Sequence, residues 1–167
     1  MKRTGVFWPL VAIVVLTDCA SKRWVEDGLV VEHTSHDVIE GVLRFTLSYN
    51  TGAAFSTEFG AYQRWILIGT TLAVLGILAR LYRSAEPHGR LYVAGLALVC
   101  GGAIGNLLDR IRSARGVVDF IDIGFGTSRF YIFNIADVGI TLGAAALACA
   151  LWRYESVRDP GAEVSVS

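Results

Sequence analysis

Charge is scarce in this chain. Of 167 residues only 18% are Asp, Glu, Lys or Arg, and 15 basic residues cancel 15 acidic ones. No basic run disturbs that balance, so nothing in the composition draws the chain to nucleic acid. Metal chemistry is short of material too. His33, His36 and His88 are not at ligand spacing, and no C-x-x-C or His-Cys cluster accompanies them. Cys19, Cys100 and Cys149 are odd in number and fall in apolar runs, where a thiol packs as a small apolar group. Neither a cofactor nor a metal is expected. The usual hydrolytic signatures are also missing: there is no H-E-x-x-H and no G-x-S-x-G, and no His lies near a Ser or Cys in an apolar run. The G-x-G-D signature of one class of intramembrane aspartic protease fails as well, because Gly124-Phe125-Gly126 is followed by Thr127.

What the chain has in abundance is apolar surface. Hydrophobic residues make up 53% of it, and the mean hydropathy is +0.50. An integral membrane protein is therefore expected. A helix needs about 20 residues to cross a hydrocarbon core, and four windows suffice, near 7–25, 61–82, 91–111 and 135–152. The expected fold is all-α, a single membrane domain over 1–167 built as a four-transmembrane-helix bundle. The connections 26–60 and 112–134 share one face, and a tail over 156–167, rich in small and polar residues, is expected to be disordered. An even number of crossings puts both termini on one side. Lys2, Arg3, Arg80, Arg83, Arg90, Arg153 and Arg158 fall on that side and the other basic residues opposite, so the charge bias that sets topology does not decide. The termini and the short 83–90 loop are assigned to the cytoplasm, since the longer, more acidic connections share the other face. Lys2 and Arg3 before an apolar run would also fit a secretory signal peptide. Asp18, however, stands where a lipidation box before Cys19 needs a small uncharged residue, and three spans follow, so the segment is read as a retained first helix.

The connection after the first span has a pattern of its own. Leu43, Phe45, Leu47 and Tyr49 alternate with Arg44, Thr46, Ser48 and Asn50, the mark of a half-buried strand. A second strand is a candidate over 129–133, after the turn residues Gly124, Gly126 and Thr127. Phe130, Tyr131 and Phe133 read equally well as aromatic anchors at a membrane interface. A small sheet on the outer face follows from the first strand alone.

Against this apolar background a few polar residues stand out. An ionised carboxylate at a bilayer's centre costs roughly 2.5–3.5 kcal/mol on insertion scales, so each one asks for a function. Asp119 lies at the approach to the last span and Asp137 inside it. In the third span Gly102, Asn106 and Arg110 recur every four residues with Asp109 beside them, and Asn134, Asp137 and Thr141 share one side of the fourth. Such stripes must face the bundle interior or a wet cavity. Gly101 and Gly105 form a small-xxx-small pair that allows close helix approach. Asp18 and Lys22, four residues apart, suit a structural ion pair, and Asp109 is expected to act through its neighbours Asn106 and Arg110. Asp119 with Asp137 is read differently: two carboxylates brought together share a proton, so one can serve as base while the other serves as acid. Such a dyad activates water against an amide with no nucleophilic side chain.

Five segments in order resemble one family. Asp18-x-x-Ser21-Lys22, Asn50-Thr51-Gly52-Ala53-Ala54-Phe55, Gly105-Asn106-Leu107-Leu108-Asp109-Arg110, Val117-Val118-Asp119-Phe120 and Phe133-Asn134-Ile135-Ala136-Asp137 are together similar to the bacterial lipoprotein signal peptidase, signal peptidase II. The resemblance spans about 18–137. It implies a four-helix inner-membrane aspartic peptidase, without cofactor, with both termini cytoplasmic, a small extracytoplasmic β-sheet and a site at the outer face. Its substrates would be prolipoproteins, cut just before the diacylglyceryl-modified cysteine. By motif position Asp119 and Asp137 correspond to the catalytic pair. Asn50, Gly105, Asn106, Arg110, Asn134 and Ala136 correspond to substrate-binding or dyad-supporting residues, and Asp18, Lys22 and Asp109 to structural polar groups. Val138 stands where many members carry a small or hydroxylated residue, a departure that leaves the dyad intact. A monomer is expected, taking substrate laterally from membrane lipid with the signal helix against the small residues of the third span. The rival is a small proton- or ion-coupled transporter or channel, since intramembrane Asp, Asn and Arg also mark ion pathways; that reading gives no reason for the outer strand.

Overall fold

The computed structural model describes residues 4–29, 34–52, 62–85, 89–125 and 128–158. The chain runs through helix α1 (Thr4–Trp24), a π-helical turn (Val25–Leu29), strands β1 (Ser35–Ile39) and β2 (Leu43–Asn50), helices α2 (Gln63–Arg83) and α3 (Gly89–Arg112), strands β3 (Val117–Phe125) and β4 (Ser128–Arg129), and helix α4 (Ile135–Arg158). All four helices are long and apolar enough to cross a membrane. The last continues to Arg158, past residue 156, where the disordered tail is expected to begin; residues 159–167 lie outside those described.

Helix α3 is the axis of the bundle and touches the other three. In its most apolar window 67% of the residues are buried inside the protein, against 11% for α2 and 22% for each of α1 and α4. Its sequence explains this position, because in lipid helices associate by close packing rather than by hydrophobic exclusion, and small residues permit it. A Cβ on Gly101 would come within 2.8 Å of Val14 on α1, and one on Gly102 would collide with the Ala136 carbonyl on α4. Gly95 of α3 and Gly143 of α4 approach each other in the same way. The Gly101/Gly105 pair thus faces α1 and Gly102 faces α4. The small residues of α3 are filled from within the protein, which corrects the expectation that a substrate's signal helix packs on them.

The other helices turn large apolar side chains outward, among them Trp8 and Leu16, Trp65 and Leu72, Leu142 and Trp152. In water such a surface would aggregate; in lipid it is the expected exterior.

The strands form one antiparallel sheet in the order β1-β2-β3-β4. The alternating segment 43–50 is β2. The second expected strand, over 129–133, is corrected: only Ser128–Arg129 forms β4, and Phe133 adds an isolated bridge to Ile121. The partner that completes the sheet is β3, four of whose residues from Val117 to Phe120 are buried in succession. Val25, Leu47, Val118 and Phe120 make a second core that seats the sheet on the ends of α1 and α4. Asp122 locks it further: Arg44 of β2 and Arg129 of β4 both pair with its carboxylate, at 3.0 and 2.9 Å, and Thr46 donates to it at 3.2 Å.

Candidate active site

The site grows from the first turn of α4. Asn134 caps this helix: its Oδ1 accepts the Asp137 N–H at 3.0 Å, and the Asp137 carboxylate accepts the Asn134 N–H at 3.2 Å. This is a reciprocal capping box with Asp in place of the usual Glu, and it puts a carboxylate at the positive end of the helix dipole. With its oxygen engaged, the Asn134 amide nitrogen turns inward. It donates to Asp119 Oδ1 at 2.6 Å and lies near Val118 O and Asn106 Oδ1, at 3.2 and 3.1 Å. Asn134, 0% exposed, therefore stands between the two aspartates and bonds to both.

Asp119 arrives on β3, opposite Ser48 of β2, and is 3% exposed. Burial, and then the neighbouring Asp137, push its carboxyl up from 3.8 to about 6, against the hydrogen bonds of Asn50 and Asn134 and the charge of Lys22. Asn50 closes β2, and its Oδ1 accepts the Gly52 N–H at 2.8 Å, which leaves its NH2 end for Asp119. Gln63 holds the turn by donating to Thr51 O and Gly52 O, both at 2.7 Å. Two glycines at positive φ allow the loops to meet. Gly52 (φ 88°) lies under Leu67, and any Cβ on Gly116 (φ 102°) would collide with the Asn50 carbonyl.

Helix α3 supplies Asn106, whose Nδ2 donates to Asp137 Oδ1 at 2.8 Å, and Arg110, whose charge acts on Asp119 and Asp137. The Arg110 Nη1 donates to Asn106 O at 3.3 Å, while its buried Nε has no hydrogen-bond partner among the described residues. The Arg64 guanidinium clasps the end of α3 through the Arg110 and Ile111 carbonyls, at 2.6 and 2.8 Å.

Behind Asp119 and Asp137 lies a buried ion cluster. Lys22 Nζ sits 2.7 Å from Asp18 Oδ2 and 2.7 Å from Asp109 Oδ2, and donates to Asn106 Oδ1 at 3.1 Å. Asp18 Oδ1 accepts the Ala136 N–H at 2.9 Å, and Asp109 Oδ2 that of Val118 at 3.3 Å. The isolated Asp18–Lys22 pair is thus a triad that includes Asp109. Asp109 makes its direct contacts with Lys22 and the β3 backbone and acts on Arg110 through its charge.

Asp119, Asn50 and Arg110 line a cavity of about 730 Å³, with Tyr131 and Leu67 among its other walls. Asp137, Asn106 and Asn134 stand behind this wall. Gly105 and Ala136 do not line it; Gly105 leaves room for the Asp18 carboxylate, which a Cβ would approach to 2.5 Å, and Ala136 offers its amide to Asp18. Thr141, expected on the polar stripe, is exposed and bonds back to the Asp137 carbonyl. Among the described residues no group of three or more His, Cys, Asp or Glu is arranged to hold a metal ion. Gln63, Arg64 and Gly116 went unread in the sequence; the only signal was a polar pair at the head of an apolar span and a glycine just before the Val-Val-Asp segment.

The model of the family described as signal peptidase (SPase) II matches residues 10–153. The chain belongs to the signal peptidase II family. A lipoprotein signal peptidase of Xanthomonas oryzae pv. oryzae is 41% identical over 149 residues, 87% of this chain and 88% of that protein. That of Ectopseudomonas mendocina is 33% identical over 159 residues, 93% and 94% of the two chains. Two solved bacterial membrane enzymes share the fold. One, 30% identical, has a TM-score of 0.79 over 88% of this chain and 92% of its own; the other, 28% identical, has 0.77 over 98% and 94%. As a signal peptidase II relative with four apolar helices, the protein is a multi-pass membrane peptidase.

Proposed function

We propose that the protein removes signal peptides from prolipoproteins by aspartic chemistry at Asp119 and Asp137, cutting just before a diacylglyceryl-modified cysteine. The observation that carries this reading is Asn134, a buried amide bonded to both aspartates just behind the wall of a cavity. The carboxyl pushed up to about 6 at Asp119 fits a pair that holds one proton between two groups, and such a pair titrates as a unit.

In the reaction the ionised carboxylate takes a proton from water as the water oxygen attacks the scissile carbonyl carbon. The protonated carboxyl gives its proton to the carbonyl oxygen, forming a neutral gem-diol. Its collapse breaks the C–N bond: one hydroxyl proton returns to the dyad, and the proton first taken from water passes to the departing cysteine nitrogen. The Arg110 guanidinium is placed to hold the substrate backbone at the cavity wall, and the amides of Asn106 and Asn134 keep the carboxylates in position. The site sits at the sheet end of the bundle. With the termini cytoplasmic in a bacterial inner membrane, that end meets the outer surface, where the lipid-bearing cysteine of a precursor lies.

Asp119→Asn and Asp137→Asn are each expected to abolish cleavage of a lipid-modified precursor by purified protein in detergent, while the protein stays folded. Asn is nearly isosteric but cannot exchange the proton. Near-normal turnover by either variant would rule out the dyad.

A further inference from the structure

Lys22 lies outside the cavity and touches neither aspartate in the dyad, yet it bonds the amide that bonds Asp137. An ammonium has three donors and no acceptor. Two of its donors face Asp18 Oδ2 and Asp109 Oδ2 at 2.7 Å each, and the third faces Asn106 Oδ1 at 3.1 Å. An asparagine amide could in principle sit either way round, but one facing a pure donor must present its oxygen. Asn106 is therefore oriented with Nδ2 towards Asp137, 2.8 Å from Oδ1. The same oxygen also receives Asn134 Nδ2, at 3.1 Å. The second amide is already oriented by its cap, its oxygen accepting the Asp137 N–H and its NH2 end directed to Asp119, and the Asn106 oxygen gives that NH2 a further acceptor.

We infer that Lys22 is a positioning residue for the peptidase reaction, one buried cation pinning the Asn106 oxygen so that Asp137 meets the donor end of that amide rather than its acceptor. This rests on the aspartic reading above. Without Lys22 the Asn106 oxygen keeps only Asn134 Nδ2 as a donor, and the amide holds its Nδ2 on Asp137 less firmly. Carboxylates that lose donors are harder to ionise, so the dyad would reach its singly ionised, working form only at higher pH. The charged groups facing the dyad are Lys22 and Asp18 of α1, Asp109 and Arg110 of α3, and the two aspartates themselves. Strand β2 presents the neutral Ser48 and Asn50, and α2 presents Arg64, tied to the end of α3.

The test must keep the cluster's charge, because Lys22→Met alone strands two carboxylates. The double variant Lys22→Met with Asp109→Asn is compared with the wild type, whose cluster carries the same net charge, and the amide oxygen introduced at position 109 can still accept the Val118 N–H. Asp109→Asn alone is the control for loss of that carboxylate. Cleavage of a lipid-modified precursor is followed per folded molecule across pH. The double variant should lose about tenfold in kcat relative to the wild type, as expected for a misdirected hydrogen bond to a charged group. KM should be unchanged, and both limbs of the kcat profile should move to higher pH. Lys22→Arg in the same background, also a donor without an acceptor, should keep the limbs of the control. Equal kcat and pH profiles in the double variant and the wild type would overturn the inference. So would a double variant that fails to fold while the single one folds and cuts, since Lys22 would then hold only the fold. Failure of the aspartic reading shows elsewhere, in normal cleavage by the Asp119→Asn form.

Discussion

Asp119 is costly to the fold that carries it. Its carboxyl titrates at about 6 in the folded protein, chiefly because burial disfavours the charge, against 3.8 for an ordinary aspartate. A folded-state value above the unfolded one means that the native protein binds the proton more tightly, so stability falls as pH rises from 3.8 to 6 and stays reduced above that. The penalty at neutral pH is on the order of 2–3 kcal/mol. Asp119→Asn removes it, because the amide oxygen can still accept from Asn134. The variant should be inactive yet unfold at a higher temperature than wild type at about pH 7.5, with the gap closing towards about pH 4. Thermal unfolding in detergent at the two pH values checks this; a variant less stable at both would show that the Asp119 hydrogen bonds outweigh its burial. The same titration bears on the reaction. With Asp119 and Asp137 as the proposed dyad, the pair loses its shared proton as pH rises through about 6, so kcat/KM, which reports the free enzyme, should decline above that point.

At the scale of elements, the glycines of α3 decide how near α1 and α4 come to it. Gly102 lies one helical turn before Asn106, and an added methyl would meet the Ala136 carbonyl and lie 2.7 Å from Ile140 Cγ1. Both clashes are with α4, within the turn that carries Asp137. Gly102→Ala should therefore lower the unfolding temperature and cut kcat per folded molecule severalfold, by moving Asn106 off Asp137. Gly76→Ala, on α2 with nothing within 4 Å of the added carbon, should leave turnover unchanged and stability unchanged or slightly raised. Unchanged turnover in Gly102→Ala would mean that the α3–α4 spacing does not govern the dyad. Elements also show how far the sequence could be read. The apolar windows overlap the four helices because length and hydropathy alone select a span. Strand β2 was legible because one face is buried and the other is not, which leaves alternation. Strand β3 was not, since Val117, Val118, Asp119 and Phe120 are all buried and a strand covered on both faces shows no period. The same gap hid Asp122, whose two arginine partners come from β2 and β4. Asp109 was placed with its sequence neighbours because a helical wheel cannot show that Lys22, on another helix, reaches it.

For the whole molecule the decisive contrast lies between the inside and the outside of the bundle. Its buried acids, amides and lysine gather at one end, between the helices and the sheet. The outer faces of α1, α2 and α4 show Trp8, Ile13, Trp65, Ile77, Leu142 and Trp152 to the surroundings. The cavity opens between these regions, and Tyr131 and Phe130 on its wall are 86% and 66% exposed. A precursor held only by its signal helix reaches this site with its cysteine untethered. Two acyl chains on the cysteine change that, since each buried methylene contributes about 0.8 kcal/mol towards keeping the chains in the bilayer. The residue next to the scissile bond is then fixed at the depth of the aromatic rim, and the amide is brought near the dyad at little further cost in entropy. A synthetic precursor with a diacylglyceryl cysteine should accordingly be cut, and the same peptide with a free thiol should be cut at least about tenfold more slowly, mostly through KM, since tethering acts on encounter and placement before chemistry. Measuring both in mixed lipid–detergent micelles, with the peptides matched in micelle content, separates recognition at the rim from simple partitioning. Equal kcat/KM for the two would mean that the aromatic rim does not read the lipid, and that the signal helix alone positions the bond.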